Sequence, residues 1–133
     1  MTKVIKIKKG LSINLKGKAE KKIDQAPPSA TYALKPGDFE SLTPKLTVKE
    51  GFEVKAGSPL FFDKYRPEIK FTSPVSGTVK VIHRGERRKI LEVAVEPSNE
   101  PQYETFVKDD PKNLDKKKIR EQLLNSGLWH LII

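Results

Sequence analysis

The chain has 133 residues, of which 36% are hydrophobic and 32% charged, and its formal net charge is +9. A chain of this length can bury one modest core and carry extensions. Because it contains no cysteine, disulfides, iron–sulfur clusters and thiolate zinc sites are excluded. No apolar run approaches the roughly 18 residues that a membrane span needs, and no secretory signal is recognisable. We therefore expect a soluble, cytosolic polypeptide.

The positive charge is concentrated at the N-terminus. Residues 1–22 carry eight lysines and one glutamate, whereas basic and acidic residues nearly balance in the rest of the chain. A segment of one sign indicates an acidic partner, nucleic acid or an anionic membrane surface. Aromatic side chains for base stacking are absent from this segment, which argues against nucleic acid. We predict partner contacts from Lys6, Lys8 and Lys9; a solvated edge strand is the simpler alternative.

Short strands are predicted along the first third of the chain. Residues 4–8 and 11–15 alternate apolar and polar side chains, and an extended connector with Pro27 and Pro28 follows. Residues 31–34 predict a strand, which the turn at residues 35–38 ends. Residues 42–48 lead into the next strand, where Pro44 indicates an edge position because proline cannot donate to a sheet ladder.

Residues 48–82 form the central motif. Gly51 and Gly57 predict two tight turns in which glycine supplies the positive φ angle. Pro74 and Gly77 predict a bend between a strand at residues 70–72 and a strand that starts at Thr78. Half-buried strands are indicated by apolar residues that alternate with polar neighbours: Val54, Leu60, Val75 and Val79.

A hairpin with a basic tip is predicted after this motif. Residues 79–83 and 90–95 alternate as strands, and Arg84, Arg87, Arg88 and Lys89 lie at the turn between them. These side chains could hold phosphate or carboxylate, although a solvated tip is the more frequent case. His83 is predicted to be a strand residue, since no nucleophile or carboxylate stands at a suggestive spacing.

The C-terminal part is predicted to contain a linker, a short strand and one helix. The linker covers residues 97–101 and the strand residues 103–107. Asp115 is expected to cap the helix with its carboxylate, and Gly127 to end it. Six uncharged residues, 128–133, either pack into the core or contact a neighbouring part of a longer chain. We favour the second interpretation, in which Trp129 is the anchor.

The glycine and proline pattern of the central motif resembles that of the barrel-sandwich hybrid, the flattened β-barrel of biotinyl and lipoyl carrier domains. The resemblance implies a mainly β fold, with the barrel at residues 31–98. Residues 1–30 are then a basic strand extension, and residues 99–133 a linker and short helix.

In carrier domains the modified lysine lies at the tip of a hairpin. Asp63 and Lys64 match half of the lipoyl signal. Lys64, however, lies four residues after Leu60 and ten before Pro74, which predicts a position short of the hairpin midpoint. Arg66 and Pro67 follow where carriers have small or apolar residues. We therefore favour a solvated lysine in a loop at residues 64–69.

Six segments extend the resemblance over nearly the whole chain: residues 6–11, 48–51, 59–61, 70–79, 83–85 and 126–129. In this order they resemble the N-terminal part of the NqrA family, a component of the sodium-translocating NADH:quinone oxidoreductases. The RnfC component of the Rnf complexes and the NADH-binding flavoprotein of respiratory complex I are more distant relatives. The resemblance implies an unmodified barrel and further domains after Ile133.

The same resemblance implies a peripheral protein on the cytoplasmic side of the bacterial inner membrane. The complex uses NADH, flavins and quinone and exports Na+. The sequence has no glycine-rich dinucleotide fingerprint, no covalent-flavin threonine motif and no cluster of metal ligands. We therefore expect neither a cofactor nor a catalytic residue here. The prediction is a docking module that contacts the other subunits and the downstream domains; a lipoyl or biotinyl carrier and a basic nucleic-acid binder are the alternatives.

Overall fold

The computed structural model describes residues 10, 16–110 and 112–132. The strands predicted at residues 4–8 and 11–15, together with Lys6, Lys8 and Lys9, lie outside these ranges. The described part contains seven strands and one helix: β1 Tyr32–Leu34, β2 Pro44–Leu46, β3 Glu53–Val54, β4 Pro59–Asp63, β5 Arg66–Thr72, β6 Gly77–Arg84, β7 Ile90–Pro97 and α1 Lys116–Asn125. Short 3₁₀ segments lie at Pro36–Asp38, Glu86–Arg88 and Trp129–Leu131.

The strands form two antiparallel sheets. One has the order β1-β7-β6-β3 and the other the order β2-β4-β5. Strand β2 is an edge strand, as Pro44 predicted, because the missing N–H of proline costs no ladder bond there. The predicted mainly β architecture with a short C-terminal helix is therefore confirmed.

The core lies between the two sheets. Its five fully buried large side chains come from both of them: Leu60, Phe61, Val79, Val93 and Val95. Burying one such side chain contributes about 1.5–3 kcal/mol, so these residues dominate the packing energy. Leu60 and Phe61 are consecutive and both buried, because the pairing of β4 with β5 shifts register between Pro59 and Phe61.

The turns of the central motif are confirmed. Gly51 and Gly57 have φ angles of +85° and +98°. Their N–H groups donate to the carbonyls of Val79 and Ser73, each at 2.8 Å. Pro74 and Gly77 bracket the bend between β5 and β6. At Gly77 the need for glycine is close approach, since a Cβ there would lie 1.9 Å from the carbonyl oxygen of Glu96.

The hairpin of β4 and β5 differs from the prediction. Its turn contains only Lys64 and Tyr65, and β5 already begins at Arg66. Asp63 pairs with Arg66 and Phe62 with Lys70, so the residues between these pairs bulge out of β5. The predicted loop at residues 64–69 is therefore wrong, and Lys64 lies at the hairpin tip. The prediction from residue spacing assumed that the two strands of the hairpin have equal lengths. The bulge adds residues to β5 only, so the turn lies closer to the start of the hairpin than predicted.

The segment after the barrel is tied to it without forming the strand predicted at residues 103–107. Tyr103 makes a single parallel bridge with Ala56. The Ala56 N–H donates to Gln102 at 2.9 Å, and the Glu104 N–H donates to the Ala56 carbonyl at 2.9 Å. The Ser58 hydroxyl donates to the Glu104 carboxylate at 2.7 Å. The Gln102 N–H also donates to the Ser76 hydroxyl at 2.9 Å, so one bridge and bonds to serine side chains hold this segment where a ladder was predicted.

Helix α1 packs on β5. Leu124 reaches the core, and the Lys70 ammonium donates to the Asn125 side chain at 2.7 Å. Gly127, with φ +75°, follows the helix as predicted. The predicted carboxylate cap is wrong: the Asp115 side chain makes no capping hydrogen bond. The first turn is exposed, so water can satisfy its free amides.

With ten residues, α1 is too short and too polar to cross a membrane, and the described part of the chain holds no other helix that could.

Candidate functional site

A groove of about 650 Å³ runs between residues 38–42, the β4–β5 hairpin and residues 129–132. Apolar and aromatic residues line about half of its surface: Phe39, Leu42, Ile69, Phe71, Trp129, His130, Leu131 and Ile132. Apolar surface of this kind suits a hydrophobic ligand or a segment of protein.

Phe39, Phe71 and His130 line the groove as one aromatic cluster, and the fully buried Phe61 packs against the two phenylalanines. The Phe71 ring lies 4.5 Å from Phe39 and stacks on Phe61 with 5.2 Å between centroids. His130 stacks on Phe71 at 5.1 Å and meets the edge of Phe39 at 4.9 Å. Such ring pairs add stabilisation beyond their buried area, so they hold the C-terminal turn on the barrel. Spacing in the sequence could not reveal this cluster, because its members come from distant segments.

Polar and charged residues also line the groove: Asp38, Glu40, Ser41, Asp63 and Arg66. The Asp63 side chain is only 6% exposed and lies 3.4 Å from the Arg66 guanidinium, which is 63% exposed. The Tyr65 N–H donates to the Asp63 carboxylate at 3.2 Å. These two contacts stabilise the turn of the β4–β5 hairpin. Among the described residues, no nucleophilic side chain lies at hydrogen-bonding distance from the Asp63 carboxylate. Within residues 10, 16–110 and 112–132, no three histidine or acidic side chains meet as metal ligands would.

Trp129 lies in the wall of the groove and packs against the core of this domain. The Arg120 guanidinium lies 5.5 Å from its ring centroid. Its neighbours face outward, since Leu128, Leu131 and Ile132 are 48%, 65% and 54% exposed. The predicted partner contact of Trp129 therefore stays a prediction, and these three residues are the exposed apolar surface next to it.

The predicted hairpin of β6 and β7 is confirmed, and its tip carries the predicted cations. Arg84, Arg87 and Arg88 are all exposed there. Arg87 and Arg88 have φ angles of 52° and 62°, and the Lys89 N–H closes the turn on the Glu86 carbonyl at 3.1 Å. The Arg84 guanidinium donates to the Arg88 carbonyl at 3.3 Å. The structure thus brings these arginines together on one turn.

His83 is a strand residue, as predicted. It pairs with Glu92 across the ladder of β6 and β7 and is exposed.

Comparison with known proteins gives one family. Residues 5–98 match the family described as the NqrA N-terminal barrel-sandwich hybrid domain. The NqrA protein of the Na(+)-translocating NADH-quinone reductase from Neisseria meningitidis serogroup A is 41% identical over 128 residues. That alignment covers 95% of this chain and 29% of the relative. The proteins of the same name from Pseudomonas aeruginosa UCBPP-PA14 and Tolumonas auensis are 37% and 39% identical with the same coverage.

The chain therefore spans 29% of the length of these relatives. The family match covers all seven described strands, which confirms the barrel-sandwich hybrid inferred from the glycine and proline pattern. On this match, the chain belongs to the NqrA N-terminal barrel-sandwich hybrid domain family.

Proposed function

We propose that the chain is the N-terminal domain of the NqrA protein of a Na+-translocating NADH-quinone reductase and serves there as a non-catalytic docking module. The observation that carries the proposal is the 41% identity, over 95% of the chain, to a relative of that name. Such an enzyme oxidises NADH, reduces quinone and exports Na+. The proposal places the domain on the cytoplasmic side of the bacterial inner membrane, with chemistry in other parts of the complex.

The groove supports a docking role within the longer protein. Leu131 and Ile132 are more than half exposed and continue its apolar wall. Leaving apolar surface in water costs about 25 cal/mol per Å², so a partner surface that covers it is favoured. The matched region is 29% of the relatives, so most of such a protein lies outside this chain. We propose that this remainder covers Trp129, Leu131 and Ile132.

The groove contact can be tested in the full-length protein. Leu131→Ser with Ile132→Ser should lower the thermal stability of the longer protein while leaving the isolated 133-residue chain nearly unchanged, because both side chains are exposed in it. Ile23→Ser is the control, since Ile23 is fully exposed and lies in another segment. A double variant that destabilises neither protein would contradict coverage of the groove.

The basic N-terminus is the proposed contact to the other subunits. Lys6→Glu, Lys8→Glu and Lys9→Glu together should leave the protein folded and weaken its co-purification with the other subunits. Lys116→Glu, Lys117→Glu and Lys118→Glu change the charge equally on the exposed first turn of α1 and serve as the control. If the N-terminal variant co-purifies as well as the wild type, this contact is wrong.

A lipoyl or biotinyl carrier is the second candidate, and the position of Lys64 favours it. Lys64 and Tyr65 alone form the tip of the β4–β5 hairpin, where a carrier holds its modified lysine. The docking role is preferred because Asp63, Arg66 and Pro67 do not supply the small or apolar flanks of a carrier motif. Co-expression with lipoate or biotin ligase followed by intact-mass measurement decides between them: a lipoyl or biotinyl mass on Lys64 supports the carrier.

A further inference from the structure

The turn between β6 and β7 has a backbone that its residues do not favour. Arg87 and Arg88 both have positive φ, the geometry of the two-residue turns that prefer Asn-Gly. A Cβ in this region crowds the following carbonyl, so either position would accept glycine at lower cost. Strained backbone conformations of this kind cluster at functional sites. The positive φ angles therefore suggest that the side chains of Arg87 and Arg88 have a function.

The side chains at this turn are exposed to solvent, and the Arg84 guanidinium also donates to the Arg88 carbonyl at 3.3 Å. Arg84, Arg87, Arg88 and Lys89, which we call the basic tip, are all exposed. Within the described residues, the ion pairs involve none of these four. Glu86 is the acidic residue of the turn itself. The strands behind the tip pack into the core through Val79, Val93 and Val95, which are fully buried.

We propose that the basic tip binds the phosphate groups of an anionic phospholipid surface. Guanidinium groups pair with phosphate through two parallel hydrogen bonds, and basic side chains gain favourable energy close to such a surface. The inference stands on the tip alone, so it does not depend on the proposed docking role.

The shape of the tip favours lipid over an acidic protein. Protein interfaces centre on buried apolar and aromatic residues. Here the apolar neighbour is Leu91, which is 48% exposed and lies against Gly85. A narrow convex turn with long cationic side chains and one leucine can reach headgroup phosphates without a complementary pocket.

The test is co-sedimentation of the intact chain with phosphatidylcholine vesicles that contain about one-third phosphatidylglycerol. Arg84→Gln, Arg87→Gln and Arg88→Gln together should weaken binding on the order of 100-fold, as expected for three basic residues near such a surface. Lys116→Gln, Lys117→Gln and Lys118→Gln remove the same charge from α1. This control should stay within about threefold of the wild type, because α1 packs on β5, in the other sheet from β6 and β7, and charges away from the bound surface are screened.

A second variant separates binding from folding. Arg87→Asn with Arg88→Gly supplies the residues that the turn prefers, so it should unfold at the same or a higher temperature while losing most of its vesicle binding. The proposal is overturned if the wild type ignores phosphatidylglycerol, or if both triple variants lose binding equally. If the basic tip is needed for binding to an acidic protein but not for binding to vesicles, the lipid proposal is wrong and the tip has a protein partner.

Discussion

The imidazole ring of His130 stacks on the phenyl ring of Phe71, with centroids 5.1 Å apart and planes 25° apart. This contact joins the C-terminal 3₁₀ turn to strand β5. The segment just before that turn is held by Thr72, whose hydroxyl donates to the Ser126 carbonyl at 3.4 Å. The segment beyond the barrel is therefore part of its packing, and the groove exists only because this segment returns to β5.

His130→Ala should lower the free energy of unfolding by about 1–3 kcal/mol, since it removes the ring pairs with both Phe71 and Phe39 and each pair contributes about 0.5–1.5 kcal/mol. Urea denaturation of the two proteins measures the difference. His83→Ala is the matched control, because His83 on β6 is exposed like His130 but forms no ring pair among the described residues, and it should change stability by less than about 0.5 kcal/mol. Equal losses at the two histidines would show that the stacking is unimportant.

Asp63→Ala should destabilise the β4–β5 hairpin by about 1–3 kcal/mol, since the Tyr65 N–H loses its acceptor in a partly buried hydrogen bond. Asp63→Asn keeps an oxygen for this N–H and loses only the charge facing Arg66. An ion pair with an exposed guanidinium contributes about 0–1 kcal/mol, so the asparagine variant should be the more stable of the two. Thermal unfolding compares them, and an asparagine variant as unstable as the alanine variant would contradict this account.

Gly77→Ala should cost about 3 kcal/mol, because the new methyl group would overlap the backbone of Glu96 and Pro97, and backbone atoms can move little. Gly37→Ala is the control: nothing lies within 4 Å of its Cβ position. It should change stability by less than about 0.5 kcal/mol. Chemical denaturation in guanidinium chloride measures both, and a tolerated alanine at residue 77 would mean that β6 and β7 can separate there.

Arg87→Asn with Arg88→Gly should raise the free energy of unfolding by about 1 kcal/mol, since the left-handed backbone no longer crowds a Cβ at residue 88. Arg84→Gly, on strand β6, should instead lower it by about 0.5–1 kcal/mol, because glycine weakens a strand. Calorimetric unfolding measures whether each variant raises or lowers the free energy of unfolding. A turn variant less stable than the wild type would show that the arginines contribute contacts that outweigh the strain.

Several local features were predictable because their causes are local. A turn that needs positive φ selects glycine, so the turns at Gly51 and Gly57 are predictable from their residues alone. Alternation at residues 79–83 and 90–95 predicted the hairpin and its basic tip. Gly127 marked the end of α1, and Pro44 marked an edge strand, for reasons that lie in the backbone of each residue.

The sequence by itself therefore determined most of the strands and turns, the end of the helix and the family resemblance, since each rests on preferences of neighbouring residues. Only the tertiary structure decided where Lys64 lies, because a bulge in β5 shifts the hairpin tip toward it. It also decided that Tyr103 makes one bridge and that Phe39, Phe71 and His130 meet. These outcomes depend on register and on contacts between distant segments, which no local pattern encodes.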